Sequence, residues 1–595
     1  MKYDYYLATT ALSETWDKNS KLLLTSPWCL MGNNNKRVLR DRDYMVLPSP
    51  WKPAALRKTA LEYCHVVYEE TLLQMYTILN DIHHVSFPLQ YWRILIGPWL
   101  LSFISALYDR YTRIESALKL FPDFYTNVLP VEDCCPVSYG YDDFYTFGID
   151  ARMKDDYYNL ILYSTVLYSL CPNSVSVIEM DYKKNYNINV VRYGWKRKLI
   201  NKLKKPFENI LGGHILMSNM YHLSLKDSLL LKMKLGINRL YFRDFIDFSP
   251  PEETSLLDYF SPDLRKEIRL KRGGDKFKTL LLEILPDAVP VCYLETYEYH
   301  RRKISQYIDS LKLICSSVGW SSNEEFRFFA AEYVSNGAKY IEFQHGGNYG
   351  MSLTVHEEKL AFEKDVFFSW GWKSSDYKNV NILPSHRLSK LRDTHKMKLD
   401  NVVFVTTTAY RYECKMTDAL HSDNIPGYLR SQELFIMSLR NIIKDKILYR
   451  PNSKDVGWGE KEHIKKIRAD IKVILNDKLI NWMKKAKLVV IDHAHTALLE
   501  SLTINVPSVF YWDHDNYSMR QEAEPYFQLL RDAGILYKDP VSAARKVNEI
   551  FNDPMEWWHS NTVQNARKEF CDRFAYARKD WMDVWVKELR KLYNK

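Results

Sequence analysis

Four consecutive residues, Gln344-His345-Gly346-Gly347, follow an alternating apolar run at Lys339–Phe343 that predicts a buried strand. Two glycines after a strand are typical of a plain turn, because glycine adopts positive φ without steric cost. Open α/β sheets, however, bind ligands at the carboxyl ends of parallel strands, where glycines let backbone amides approach an anion. We therefore predict that the glutamine and both glycines contact an anionic ligand, and that His345 donates a proton to a leaving phosphate or stabilises it. The plain turn is the alternative.

A second strand end lies within Lys487–His514, where a buried strand runs into Asp492-His493-Ala494-His495 and a helix is predicted from Thr496. The first turn of a helix offers free amides and the positive end of its dipole, which together suit a phosphate. Thr496 can add a hydroxyl, and His495 a donor whose charge depends on pH. Glu500 lies one turn further on the same face, where it could accept hydrogen bonds from a ribose diol. We predict that Asp492 and the two histidines share this site; an N-cap threonine beside a solvated acid is the alternative.

A third strand end, at Leu448–Trp458, carries two cations. Arg450 ends the predicted strand, and Lys454 follows on a loop that contains proline and glycine. A planar guanidinium and a flexible ammonium together suit a phosphate, a diphosphate or a carboxylate. Exposed cations are common on loops, but the neighbouring strand end at Asp492 favours a shared anion site.

Two weaker patterns concern acidic residues. Asp513-His514-Asp515 has the form of the DxD motif of metal-dependent glycosyltransferases, but one such triplet is a weak signal, and we predict no metal here. Glu14 and Asp17 follow the first predicted strand, and we predict that they supply the general base for an acceptor hydroxyl. A solvated loop with a helix cap is the alternative for this pair.

Composition limits the class of protein. A chain of 595 residues is too long for one core, so two or three domains are predicted, and 46% hydrophobic residues exclude disorder. The net charge of +10 suits anionic ligands or a negatively charged membrane face, but it is too small to indicate nucleic-acid binding. Nine scattered cysteines without a CxxC motif indicate reduced thiols in a cytoplasmic protein. No secretory signal is visible, and the most apolar run, Ile94–Leu107, is too short to span a bilayer and is predicted to be a buried helix.

The elements that must position the candidate residues alternate between short apolar strands and helices from about residue 287 onward. This pattern predicts parallel sheets with helices on both faces, and two such units facing a cleft form a GT-B architecture. Before this region we predict strands at Tyr3–Thr9 and Lys21–Thr25, a helical block around residues 61–82, and an irregular part with a basic patch at Trp195–Lys205. From about residue 287 onward the predicted strands are Val289–Leu294, Lys339–Phe343, Val366–Ser369, Val402–Val405, Ile447–Tyr449, Leu488–Ile491 and Ser508–Tyr511. The predicted helices of the same part are Tyr299–Cys315, Ser322–Ser335, Ser431–Lys444, Glu462–Lys484, Thr496–Leu502 and Val563–Leu592.

These elements divide the chain into three parts. Residues 1–385 are predicted to form an acceptor-side Rossmann-like domain with a helical or irregular insertion at about 30–285. After a polar linker at Lys373–Asp400, residues 400–555 are predicted to form a second Rossmann-like domain, to which the family resemblance described next assigns nucleotide-sugar binding. Residues 556–595 carry a helix with one aromatic face, which we expect to pack back on the N-terminal domain.

Several stretches resemble a bacterial family of transferases whose members occur in gene clusters for surface glycans and nonulosonic, sialic-acid-like sugars. The most specific are GAKYIEFQHGGNYG at Gly337–Gly350 and the YWRILIGPWL stretch within Asn80–Tyr111; Leu7–Asp17, Leu488–Leu502 and Pro525–Leu536 also match. The resemblance implies a GT-B fold and a nucleotide-activated sugar donor, such as a CMP-linked nonulosonate or Kdo-type acid. The chain is more distantly similar to capsule Kdo transferases and to CDP-glycerol phosphotransferases, whose QxWHG-like motif carries a functional histidine that matches His345. It departs from the family at His493-Ala494-His495, where members carry small hydroxyl residues.

The sequence thus predicts a cytoplasmic GT-B glycosyltransferase, for which peripheral contact with the inner face of the plasma membrane is an option. It would move an acidic sugar from a CMP-linked donor to a surface-glycan or lipid-linked acceptor, without a cofactor, a metal or a nucleic-acid partner. A polyol-phosphate transferase that uses the same cleft is one alternative. A non-catalytic scaffold that binds an anionic polymer through Trp195–Lys205 is the other.

Overall fold

The computed structural model describes residues 5–31, 35–40, 42–145, 151–180, 214–236, 240–242, 248–252, 254–305, 311–453 and 456–594. Within these residues the strands form three sheets, in which all paired strands run parallel. Parallel strands need crossover connections, and helices supply most of them here. The predicted α/β class is confirmed. The basic patch Trp195–Lys205 lies outside the described residues.

The first sheet is built from the N-terminal part of the chain. Strands Tyr5–Ala8 and Lys21–Leu24 confirm the two strands predicted there. The predicted insertion at about 30–285 is wrong in part, because this range adds three strands to the first sheet and two to the second. These strands have only three to five residues, too few to show a period. In spatial order the first sheet comprises Tyr44–Val46, Lys21–Leu24, Tyr5–Ala8, Phe124–Val128 and Val175–Val177.

Three helices, Ala54–Ile82, Leu89–Leu95 and Gly97–Leu120, form the predicted helical block. The apolar run Ile94–Leu107 spans the end of the second helix and the start of the third, and its side chains are buried as predicted. Pro98 lies in the first turn of the third helix, where its missing N–H costs no hydrogen bond. Among the described residues we find no helix with the length and apolar character needed to cross a membrane.

The second sheet carries the Gln344–Gly347 loop. The predicted strands Lys339–Phe343 and Val366–Ser369 are confirmed, but Val289–Leu294 is not a strand. Its core is a 3-10 turn at Val291–Tyr293, buried by packing and not by pairing within a sheet. The predicted helix Tyr299–Cys315 is instead helix Tyr297–Ser305 and strand Leu313–Ser316. In spatial order the strands are Val380–Ile382, Val366–Ser369, Lys339–Phe343, Leu313–Ser316, Ile215–Met217 and Leu240–Phe242, and helices Leu225–Leu235, Lys276–Ala288, Glu324–Ser335 and His356–Phe362 accompany them.

The third sheet carries the other two strand ends. Its central strands, Ile447–Arg450, Val402–Val405, Leu488–Ile491 and Ser508–Tyr511, confirm the predictions. The predicted helix Glu462–Lys484 is wrong, because a strand at Lys472–Val473 separates helix Glu460–Ile467 from Leu479–Met483. In spatial order the strands are Lys472–Val473, Ile447–Arg450, Val402–Val405, Leu488–Ile491, Ser508–Tyr511 and Leu536–Tyr537, and the longer helices are Ile425–Ser438, Thr496–Ile504, Glu524–Asp532 and Pro540–Ile550.

The C-terminal part consists of two helices where one was predicted. Helix Asn561–Phe574 packs on the third sheet's unit, where the rings of Phe570 and Phe527 lie 5.1 Å apart. Helix Trp581–Asn594 returns to the second sheet, where Trp585 lies 4.7 Å from Phe343 between ring centroids. Two Rossmann-like sheets that face each other, with a C-terminal helix returning to the first of the pair, form a GT-B-like arrangement. The sheet Tyr5–Val177 is an addition to it.

Candidate active site

The loop after strand Lys339–Phe343 is held in shape by Gln344. The side-chain amide of Gln344 donates to the carbonyl of Gly346 at 2.8 Å, and its oxygen accepts from Trp370 N at 2.8 Å and Trp372 Nε1 at 2.9 Å. These bonds use both ends of a buried amide. Gln344 was predicted to contact the ligand; in the structure its side chain positions the loop.

The two glycines let this loop touch the third sheet's unit. The amide of Gly347 donates to Thr496 Oγ1 at 2.9 Å. A Cβ on Gly347 would lie 2.8 Å from Thr496 N and 2.9 Å from the carbonyl carbon of His495, and a Cβ on Gly346 would lie 3.1 Å from Thr496 Oγ1. Both glycines were predicted to admit a ligand. The structure shows that they admit the start of the facing helix, so two of the three predicted strand ends meet here. A ligand contact at these glycines stays a prediction.

The ring of His345 lies close to the rings of two tyrosines, Tyr349 and Tyr221. Its ring lies 5.5 Å from that of Tyr349 and 6.3 Å from that of Tyr221, measured between centroids. Burial lowers the pKa of His345 to about 4, while Glu357 acts to raise it and Lys415 to lower it. The imidazole is therefore neutral at pH 7. A neutral imidazole can accept a proton at one nitrogen and donate a hydrogen bond from the other.

The start of helix Thr496–Ile504 holds a second neutral histidine. His495 occupies the N-cap position without a capping bond from its side chain. Its ring lies 5.2 Å from that of His493 and 5.4 Å from that of Tyr517, and burial lowers its pKa to about 3. Its Nε2 is buried and has no hydrogen-bond partner among the described residues. Since a buried polar atom is costly to leave unpaired, this nitrogen is a candidate ligand contact.

Asp492 and His493, which precede the start of helix Thr496–Ile504, are both buried. The carboxylate of Asp492 accepts from Tyr428 Oη at 2.8 Å and from Gln432 Nε2 at 3.0 Å, and one of its oxygens lies 3.1 Å from His493 Nδ1. Burial raises the pKa of Asp492 well above its usual range and lowers that of His493 to about 3. Both residues were predicted to bind the ligand. The network instead shows that Asp492 supports the strand end from below.

Glu500 is buried and already has a partner. It forms an ion pair with Arg387, which lies on the short helix His386–Ser389 of the linker between the two sheets. Burial raises the pKa of Glu500 to about 6, against the opposing effect of Arg387. The predicted ribose contact would therefore have to compete with this pair. Arg387 Cζ also lies 5.7 Å from the ring centroid of Tyr221, the residue whose ring lies 6.3 Å from that of His345.

Arg387 and Tyr221 were not predicted from the sequence as site residues. Arg387 falls in the polar segment interpreted as a linker, and Tyr221 falls in the region interpreted as irregular. The signal available for Tyr221 was its position four residues after the apolar triplet Ile215–Met217, a strand of the second sheet. Its neighbour His222 has φ of 61°, and burial lowers the pKa of His222 to about 4, with further lowering by Arg387 and Lys478.

The third predicted strand end lies further from Thr496. Arg450 ends its strand as predicted, and its guanidinium donates to the carbonyl of Ile474 at 2.8 Å. Burial lowers the pKa of Arg450, and Asp477 opposes this. Strand Val402–Val405 lies between its strand and that of Asp492, which separates the two strand ends by about 10 Å. Lys454 lies outside the described residues.

The acidic candidates lie elsewhere. Asp17 accepts from the amides of Asn19 at 2.8 Å and Ser20 at 2.7 Å, which closes its own loop in the first sheet's unit. Glu14 is exposed on a 3-10 turn of the same unit. Of the contacts that the structure describes, none brings either residue to His345, so their role as the general base stays a prediction.

The DxD triplet forms a turn on the third sheet's unit. Asp513 and Asp515 are exposed, and an oxygen of Asp513 accepts from the amide of Asp515 at 3.0 Å. In the part of the chain that the structure describes, no three His, Cys, Asp or Glu side chains cluster as a metal site would require.

Backbone contacts join the two sheets beside the candidate site. The amide of Leu353 donates to Ser518 O at 2.8 Å, and the amide of Arg520 donates to Met351 O at 2.9 Å. Arg520 also pairs with Glu358 at 2.7 Å. These bonds and the Gly347–Thr496 bond hold the units of the second and third sheets together beside His345 and Thr496.

A family model describes the whole of this framework. It matches residues 5–589 and is that of the LIC12162 family of transferases. The chain belongs to the LIC12162 family. The match includes all three sheets as well as His345 and Thr496, so the LIC12162 family protein is a transferase whose GT-B-like pair of sheets lies within the matched region.

Solved structures resemble it only distantly. An α,α-trehalose 6-phosphate synthase from Burkholderia multivorans is 10% identical over 64% of this chain and 99% of its own, with a TM-score of 0.34. The wall teichoic acid polymerase TagF is 9% identical over 67% and 97%, with a TM-score of 0.32. MurG from Acinetobacter baumannii is 12% identical over 64% and 99%, with a TM-score of 0.31. A comparison with curated protein sequences found no match.

Proposed function

We propose that this LIC12162 family transferase moves an acidic sugar, of the nonulosonic or Kdo type, from a CMP-linked donor to a glycan or lipid-linked glycan acceptor at the inner face of the plasma membrane. The observation that carries the proposal is the junction of two strand ends. A glycine-rich loop that holds a neutral histidine meets the start of a helix at a hydrogen bond of 2.9 Å between Gly347 and Thr496. At this helix start His495 Nε2 is buried and finds no partner within the part of the chain that the structure describes.

The junction offers groups suited to a single phosphate. The first turn of helix Thr496–Ile504 supplies amides and the positive end of its dipole, and His495 Nε2 supplies one more polar contact. Arg387 lies beside this turn through its pair with Glu500 and could take the sugar carboxylate. A phosphodiester and a carboxylate are the two anionic groups of a CMP-linked acidic sugar.

In this reaction the bond between the anomeric carbon and the donor phosphate breaks, and the acceptor hydroxyl oxygen bonds to that carbon. The hydroxyl proton must leave, and the phosphate gains charge. His345 can donate a hydrogen bond to the phosphate or accept the proton, because its ring is neutral at pH 7. We also propose that Glu14 or Asp17 acts as the general base. Arg450 and Lys454 would contact the donor in the outer part of its site.

The test is a ligand screen followed by a transfer assay. Thermal unfolding is measured with CMP, CDP, UDP and GDP, and a ligand present at a hundred times its Kd should add about 2.7 kcal/mol to the free energy of unfolding. Transfer is then measured with a CMP-linked nonulosonic acid and with CDP-glycerol. Stabilisation by CMP and transfer of the sugar support the proposal. Transfer from CDP-glycerol alone would make the protein a polyol-phosphate transferase, and anionic-polymer binding without nucleotide binding would make it a scaffold.

A further inference from the structure

Helix Leu225–Leu235 begins directly after the loop that carries Tyr221. Ser224 and Asp227 form a capping box that fixes its first turn. One face of the helix is buried on the second sheet, where Leu231 and Leu235 pack with the strand Ile215–Met217. The helix is therefore held rigidly beside the candidate active site.

The opposite side, here called the outer face, comprises Leu225, Leu229, Leu230 and Met233. The exposed fractions of Leu225, Leu229 and Met233 are 71%, 56% and 68%, and that of Leu230 is 38%. Leu225, Leu229 and Met233 follow one another at steps of four residues, so they lie along one side of the helix. Four large apolar side chains exposed together on eleven residues form a contiguous patch, and such patches mark interaction sites.

The charges on the helix itself are mainly positive. The helix carries Lys226, Lys232 and Lys234, and its one acid, Asp227, is buried and paired with Lys390. At about 100° per residue, Lys232 and Lys234 fall on opposite flanks of the outer face, and the exposed Lys226 falls within it, at an angle between those of Met233 and Leu230. Lys234 also pairs with Asp583 of the C-terminal helix, whose Arg590 donates to Lys234 O at 2.6 Å.

We propose that the outer face docks on a membrane that contains anionic lipids. An apolar stripe flanked by lysines is the form of helices that lie in the membrane interface, because apolar side chains enter the acyl boundary while ammonium groups stay at the headgroups. The loop before the helix places Tyr221 6.3 Å from His345 between ring centroids. Docking would thus turn the cleft towards the membrane, where a lipid-linked acceptor would lie; this last step rests on the proposed function.

The experiment is flotation of the full chain with vesicles of phosphatidylcholine and phosphatidylglycerol, compared with phosphatidylcholine alone. The triple variant Leu225→Ser/Leu229→Ser/Met233→Ser should bind the anionic vesicles at least about tenfold more weakly. Met437→Ser/Ile442→Ser is the matched control, since these residues are 59% and 62% exposed on the third sheet's unit. It should bind as the wild type does. The pair Lys226→Gln/Lys232→Gln should weaken binding to anionic vesicles and reduce its dependence on salt.

Failure of the wild type to bind anionic vesicles, or equal binding by the triple variant, would overturn the proposal. So would a change from dimer to monomer in the triple variant without a change in vesicle binding, because the outer face would then join two copies. CMP binding is measured on the same variants without lipid. Retained CMP binding with lost vesicle binding supports the docking surface, whereas vesicle binding in a wild type that binds no nucleotide would refute the proposed function alone.

Discussion

Gly347→Ala tests whether the contact between the two sheets' units is part of the catalytic geometry. The added Cβ would lie 2.8 Å from Thr496 N and 2.9 Å from the carbonyl carbon of His495, both backbone atoms, so the loop and the helix start must separate by about 0.6 Å to reach an ordinary contact of 3.4 Å. Overpacking of this kind costs about 1–3 kcal/mol. A displacement approaching 1 Å at a reacting centre costs up to about 10²-fold in rate, so we expect turnover to fall by about 10- to 100-fold.

The assay compares turnover and thermal unfolding of Gly347→Ala with two other variants. Gly346→Ala should be milder, since its Cβ would meet only a side-chain oxygen, Thr496 Oγ1, at 3.1 Å. Gly427→Ala is the matched control, because its Cβ would meet nothing within 4 Å and it lies in helix Ile425–Ser438, where alanine should stabilise by about 0.5–1 kcal/mol. Turnover of Gly347→Ala within twofold of the wild type, at unchanged stability, would refute the reasoning.

Three further predictions concern the same cleft. His345→Ala should leave the fold intact and lower turnover by about 10²-fold or more, because it removes a positioned acid–base group from a loop; turnover within threefold of the wild type would return His345 to the status of a turn residue. Glu500→Gln should remove a pH-dependent loss of stability, because burial raises the pKa of Glu500 from 4.5 to about 6. As the pH rises through that window, the free energy of unfolding of the wild type should fall by about 2 kcal/mol relative to the variant. A difference that stays constant from pH 4 to 7 in denaturant titrations would contradict this. Activity should survive excess EDTA, because Arg387 and the amides at Thr496 can offset the leaving-group charge; complete loss restored by Mn²⁺, with an inactive Asp515→Asn variant, would reverse that conclusion.

Sequence patterns predicted the central strands well, for a physical reason. Leu488–Ile491 and Val402–Val405 are buried on both faces, so they appear as unbroken apolar runs, and each ends at a polar or titratable residue. Parallel strands bring their carboxyl ends to one edge. The strand ends at His345 and Thr496 could therefore be placed on facing edges before their contact was known.

Apolar sequence patterns gave wrong strand predictions where a buried segment does not pair its backbone within a sheet. The run at Val289–Leu294 is as apolar as a strand, but Val291 and Cys292 donate their amides to Ser138 and Tyr139 outside any sheet. The edge strands Tyr44–Val46 and Val175–Val177 are short and partly exposed, so they carry no alternation. Arg387 was missed because only the tertiary fold brings it to Glu500, 113 positions away along the chain.

The central claim is that the helix start at Thr496 binds the phosphate of a CMP-linked donor. The most direct test is calorimetric titration of CMP and of a CMP-linked acidic sugar into the wild type, Thr496→Ala and Arg450→Ala. We predict saturable binding by the wild type, with losses of about 1.5–3 kcal/mol, or roughly 10- to 150-fold in Kd, wherever a charge-assisted contact is removed. Normal binding of both ligands by Thr496→Ala, or no binding by the wild type, would contradict the claim, whereas the result for Arg450→Ala tests only the outer part of the donor site.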